Sequence, residues 1–113
     1  MKKPRTTDFQ NRVYTALCRV PVGRVTTYAL LARAIGCGSP RAVGQALRRN
    51  PFAPRVPCHR VISSDLTLGG FNGCRAGKEL ERKRALLKSE GVDFDASGRL
   101  ADSKIIWPET TGF

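Results

Sequence analysis

Apolar residues recur at helical spacing through Phe9, Val13, Ala16, Leu17 and Val20, which predicts a first helix. Thr7 is placed to cap it, and Asp8 then lies in the first turn, where a carboxylate meets the positive end of the helix dipole. Pro21-Val22-Gly23 stops the pattern. A second helical run carries Leu30, Leu31, Ala34 and Ile35, capped by Thr26 or Thr27, and Gly36-Cys37-Gly38 closes it in a tight turn. Ser39-Pro40 opens a third helix, with serine as N-cap and proline at the first helical position. It runs from Arg41 to about Arg49, with Val43, Ala46 and Leu47 inward and Arg41, Gln45, Arg48 and Arg49 outward. Asn50-Pro51 ends it.

Phe52 to Val56 reads as a loop. Val56 to Ile62 then reads as a short apolar-flanked strand, because Pro57 fixes its own φ and pushes Val56 towards an extended conformation. Strand neighbours point to opposite faces, so Cys58 and His59 meet there only through a turn or a bridging water. Ser63-Ser64-Asp65 predicts a turn, Leu66 to Leu68 a partner strand, and Gly69 to Gly73 a flexible loop that a ligand can approach closely. Lys78 to Glu90 is a fourth helix with a sparse apolar stripe, Leu80, Leu86 and Leu87, and Gly91 as its stop. Asp93 to Phe113 is a mixed tail in which Trp107 serves as a packing anchor. The expected architecture is mainly α: a winged-helix-like helix-turn-helix domain with a short active-site strand or hairpin. One domain is expected over residues 1–113, with its core at about 7–92. Any αα-hairpin gives the same helix count, but the basic outer face of the third helix favours DNA.

Composition narrows the partners. The chain has 113 residues, 41% of them hydrophobic, with no apolar run long enough to span a membrane. The basic start, Met1-Lys2-Lys3-Pro4-Arg5, lacks the apolar stretch of a signal peptide, so an intracellular protein is expected, cytoplasmic or nuclear. Net charge is +11, and between Asp8 and Asp65 there is no acidic residue while nine arginines run from Arg12 to Arg60. Such a one-signed segment suggests a polyanion, above all nucleic acid; the other reading is a merely soluble basic surface. Four cysteines without a CxxC pair and a single histidine argue against zinc, and neither metal nor cofactor is expected. That one histidine stands beside a cysteine in Pro57-Cys58-His59-Arg60-Val61. A thiolate is the reactive form of cysteine, and a neighbouring base or positive charge produces it. The other reading of the pair is a buried structural cysteine beside a surface histidine. Cys18, Cys37 and Cys74 are more simply core or surface thiols.

With this helix-turn-helix, Asn50-Pro51 and the Pro57-to-Val61 motif in place, the chain resembles the O6-alkylguanine-DNA alkyltransferase family over roughly Phe9 to Val92. The resemblance implies that Cys58 takes an alkyl group from guanine O6, that His59 deprotonates it through a water, and that Glu90 orients His59. It further implies that Asn50 braces the turn between recognition helix and active-site strand. By the same resemblance, Tyr28 is expected to hydrogen-bond the flipped base and Arg41 to fill the space vacated in the stack, and Ala42, Gly44 and Ala46 match small residues on a helix that in this family enters the minor groove. Gln45, Arg48, Arg49 and Arg60 join Tyr28 and Arg41 as expected DNA contacts. On spacing alone, Tyr28 also reads as core filler and Arg41 as a phosphate contact. Double-stranded DNA carrying O6-alkylguanine is the implied partner, and a monomer is expected.

Three features depart from the family pattern. The N-terminal domain common in full-length members, with any zinc site, is expected to be missing. The segment from Phe71 to Glu90 is several residues longer than usual, with a charged insert from Arg75 to Glu81. The tail near Trp107 looks like that of the short alkyltransferase-like proteins, which bind the lesion, usually lack the cysteine, and flag damage for nucleotide excision repair proteins. Single-turnover alkyl transfer is the leading expectation, lesion sensing the alternative, and a plain winged-helix transcription factor the third.

Overall fold

The computed structural model describes residues 5–52, 55–69 and 77–107. Its helices are α1 (Asp8–Leu17), α2 (Tyr28–Ala34), α3 (Pro40–Arg48) and α4 (Lys78–Ser89), and its strands are β1 (Thr26–Thr27) and β2 (Val61–Ile62). A 3₁₀ turn, Cys58–Arg60, leads directly into β2, and a second lies at Ser103–Ile105. No helix among the described residues is long and apolar enough to cross a membrane.

Local chemistry places the first three helices. Thr7 and Gln10 form a reciprocal capping box at the start of α1. Thr27 caps α2 through Leu30 N, and Ser39 caps α3 through Ala42 N with Pro40 behind it. Between α2 and α3 the chain makes a Schellman turn: Cys37 N bonds Ala32 O at 2.8 Å and Gly36 N bonds Arg33 O at 3.1 Å. Gly36 takes the left-handed conformation this needs, at φ +71°. The three helices pack on one another as a helix-turn-helix unit around Val13, Leu17, Leu31, Val43 and Leu47. Within α2 it is Leu31 and Ala32 that are buried, while Ala34 is exposed.

The expected hairpin is not formed. β2 pairs with β1 in parallel, Thr26 opposite Val61 and Thr27 opposite Ile62. Leu66 to Leu68 joins the tail instead: Thr67 bridges Arg99, and Leu100 N bonds Leu66 O at 2.7 Å. Ser63 N still bonds Thr67 O, so the turn is present, but Leu66 turns the chain at φ +69° before a ladder can develop. The tail also flanks β1, with Val25 bridging Ile106 and Trp107 N bonding Val25 O.

This short sheet lies between two apolar clusters. Alternation along β2 sends Val61 into the cluster of α1 to α3 and Ile62 into a second one with Val25, Leu68, Leu87, Val92 and Leu100. A parallel pair covered on both faces is consistent with wholly apolar β2. Trp107 packs, partly buried, against the first cluster, as expected of an anchor. Residues 70–73 of the expected glycine loop, Cys74, the start of the charged insert and the end of the tail lie outside the described residues.

Candidate active site

The strand expected over Val56 to Ile62 begins only at Val61, and the reason is Pro57. At φ −81° and ψ 68° it centres a three-residue turn closed by Cys58 N to Val56 O at 2.8 Å. The next bonds, Arg60 N to Pro57 O and Val61 N to Cys58 O, continue as 3₁₀ structure. With about three residues per turn, Cys58 and His59 occupy adjoining sides of one coil instead of opposite faces of a strand. His59, read as a surface residue under the bland alternative, is buried at 4% exposure. Cys58 is buried too, at 8%.

Glu90 sits at the C-cap of α4 and reaches this coil. Its Oε2 is 2.9 Å from His59 Nε2, and Arg60 donates to both carboxylate oxygens through Nε and Nη2, each at 2.9 Å. A second Schellman turn fixes Glu90: Val92 N bonds Leu87 O, Gly91 N bonds Lys88 O, and Gly91 adopts φ +85°. Burial raises the carboxyl's proton affinity, but Arg60 and His59 together outweigh it and hold Glu90 below the ordinary glutamate range. An ionised Glu90 takes the hydrogen on Nε2, which leaves His59 Nδ1 as the ring nitrogen able to receive a proton.

Around Cys58, burial pushes the thiol up, and the Asn50 side chain and the Lys83 charge oppose that rise. Asn50 also donates Nδ2 to Val56 O at 3.1 Å and accepts from Phe52 N at 2.9 Å. It thereby ties the end of α3 to the chain entering the coil. Among the described residues no cluster of three or more His, Cys, Asp or Glu could hold a metal ion.

Arg41, Gln45, Arg48 and Arg49 are exposed on the outer face of α3, while Val43, Ala46 and Leu47 are buried beneath. Tyr28 opens α2 half-buried beside α3, its ring 3.9 Å from where a Cβ on Gly44 would lie. Arg60 does not join this face. Its guanidinium is turned inward, bound to Glu90 and, through Nη1, to Val20 O at 2.9 Å. The expected phosphate contact from Arg60 thus gives way to a structural ion pair.

A family model described as the 6-O-methylguanine DNA methyltransferase, DNA binding domain, matches residues 8–92. The chain belongs to this family. The methylated-DNA–protein-cysteine methyltransferase of Mycobacterium tuberculosis is 47% identical over 87 residues, covering 76% of this chain and 50% of that protein. That of Methanothermobacter thermautotrophicus is 44% identical over 89 residues, 79% and 47% of the two chains. The chain thus spans about half the length of the curated methyltransferases it matches. A crystal structure of Mycobacterium tuberculosis OGT in complex with DNA superposes with a TM-score of 0.68, covering 76% of this chain and 51% of that one. S. pombe Atl1, in complex with damaged DNA containing O6-carboxymethylguanine, superposes at 0.73 with 30% identity, covering 92% and 98%.

Two parts of this methyltransferase-family site escaped the sequence. Tyr14 is buried in the core, donates its hydroxyl to Ala46 O at 2.7 Å and meets Phe52 edge-on at 5.8 Å. Lys83 has no accessible surface at all. Its signal was present: it occupies the gap in the α4 stripe, three residues after Leu80 and four before Leu87.

Proposed function

We propose that the chain extrudes O6-alkylguanine from duplex DNA and transfers the alkyl group irreversibly to Cys58. The observation that carries this reading is the buried Cys58 thiol on one coil with His59, whose Nε2 is held 2.9 Å from Glu90. His59 removes the thiol proton through Nδ1, by way of a water. The sulfur attacks the alkyl carbon, the S–C bond forms as the C–O6 bond breaks, and the electron pair passes to guanine. The exposed arginines of α3 meet the duplex, small Gly44 lets the helix lie close, and Tyr28 donates to the departing base. Arg41 occupies the space the base leaves. A thioether has no easy hydrolysis route, so Cys58 is not regenerated and the protein acts once.

Incubation with an oligonucleotide containing O6-methylguanine is expected to add one methyl to the Cys58 peptide in mass spectrometry, and Cys58→Ala to abolish it while lesion binding persists. Methyl on Cys18, Cys37 or Cys74 instead would move the nucleophile. A second reading, a lesion sensor that hands damage to nucleotide excision repair proteins, is supported by the near-complete coverage of S. pombe Atl1. It predicts tight, reversible lesion binding with no change of mass.

A further inference from the structure

β1 has only two residues, and two ladder pairs with β2 are a weak hold for the strand that leads into Tyr28. The tail takes its other edge. Val25 N donates to Ile105 O at 3.1 Å and Trp107 N donates to Val25 O at 2.6 Å, so Ile106 lies opposite Val25 in parallel. Arg24 Nη1 adds a bond to Lys104 O at 3.2 Å. Successive strand residues turn their backbone groups to opposite sides, and Thr26 pairs with Val61 of β2. Residues 25–27 are therefore held between the tail on one edge and β2 on the other. Trp107 secures the tail by packing on the apolar cluster against which Tyr28 also packs. β1 runs without a break into Tyr28, and Thr27 caps α2 through Leu30 N at 3.1 Å. β2 follows the Cys58–Arg60 turn directly. The pairing of the two strands thus sets Tyr28 against Cys58, and the tail holds the strand between. Residues 105–107 lie beyond the stretch 8–92 that the family model matches.

We propose that residues 105–107 form a positioning strand for lesion recognition: bound to the free edge of β1, they fix Tyr28 relative to Cys58. This rests on the reading of Tyr28 as the group that meets the extruded base. The effect passes through the Val25 backbone to the place of the Tyr28 hydroxyl, and no covalent bond is made or broken by the tail.

The test uses the full chain carrying Cys58→Ala, so that lesion binding is read without transfer. Trp107→Pro removes the amide that bonds Val25 O, and Ile106, at φ −71° and ψ 130°, already has the extended conformation a following proline requires. Titrations on duplexes with and without one O6-methylguanine are expected to show the preference for the lesion reduced about fivefold, the worth of one lost hydrogen bond. Affinity for undamaged duplex should stay within about twofold, because the arginines of α3 are distant and independent. Trp107→Phe, which keeps the amide and an aromatic ring, should retain the preference. In a Tyr28→Phe background Trp107→Pro should cost little further, since two changes acting on one group are not additive. A preference unchanged by Trp107→Pro, a loss as large in Trp107→Phe, or an equal loss in the Tyr28→Phe background each overturns the proposal. No lesion preference in Cys58→Ala itself overturns the reading of base extrusion, and the proposal with it. Should Trp107→Pro fail to fold, hydrogen exchange at the Trp107 amide is compared in Cys58→Ala bound to the two duplexes. By reciprocity the lesion should slow that exchange by about the same fivefold, and equal exchange overturns the proposal.

Discussion

Three nitrogens converge on the carboxylate of Glu90, one from His59 and two from Arg60. This does two things. It keeps Glu90 ionised, so that the hydrogen of His59 stays on Nε2 and Nδ1 is free to act as base. It also restrains the imidazole, because its neighbour on the coil, Arg60, is anchored to the same carboxylate. His59→Ala and Glu90→Ala are therefore each expected to slow methyl transfer by about a hundredfold or more, the usual contribution of a positioned base. Single-turnover assays on an O6-methylguanine oligonucleotide measure this. Rates within a few-fold of the unaltered protein would remove the pair from the activation of Cys58. The pairing of His59 with Glu90 was legible only through the family motif, since 31 residues separate them. Arg60 was misplaced by its company: its position in a run of arginines suggested DNA, but a coil one turn long brings it to the same carboxylate as His59.

The elements carrying these residues are held by their ends. Thr7, Thr27 and Ser39 each satisfy a helix-terminal amide, and two Schellman turns close α2 and α4. The second of these matters most for the site, since Glu90 is its last right-handed residue and Val92 anchors it in the second cluster. Gly91→Ala places a Cβ at φ +85°, where L-residues are disfavoured by about 1 kcal/mol. Denaturant unfolding should show a loss of about that size, and transfer should slow as well, because the strain is relieved by moving Glu90. A stability loss with an unchanged transfer rate would mean that the cap does not position the carboxylate. These caps were readable in advance because they are short-range: a side chain or glycine within four residues decides them. The parallel pairing of β2 was not, since its partner β1 is distant along the chain and, at two residues, has too little period to be recognised.

Across the whole molecule, charge is segregated. The outer face of α3 presents Arg41, Arg48 and Arg49, and the first acidic residue after Asp8 is Asp65. Affinity for duplex should fall with salt by about 0.9 log unit per log unit of salt for each phosphate neutralised. Arg48→Ala and Arg49→Ala should weaken binding to damaged and undamaged duplex alike, whereas Arg41→Ala should weaken lesion binding more. Titrations on matched duplexes with and without one O6-methylguanine distinguish them, and equal losses for Arg41→Ala would leave it a phosphate contact. The helix-turn-helix, its caps, the basic face of α3 and the Cys58–His59 motif could all be read along the chain, because each depends on residues a few positions apart. The coil that replaces the expected strand also has a local cause in Pro57, yet its outcome depended on a turn conformation that spacing does not encode. The inward turn of Arg60, the burial of Lys83 between Val61 and Leu68, and the parallel pairing of β2 with β1 arise from contacts 15 to 40 residues apart. Such contacts are selected by the packing of two apolar clusters around one short sheet, and a charged residue in an apolar stripe reveals its partner only when that packing brings two carbonyls to it.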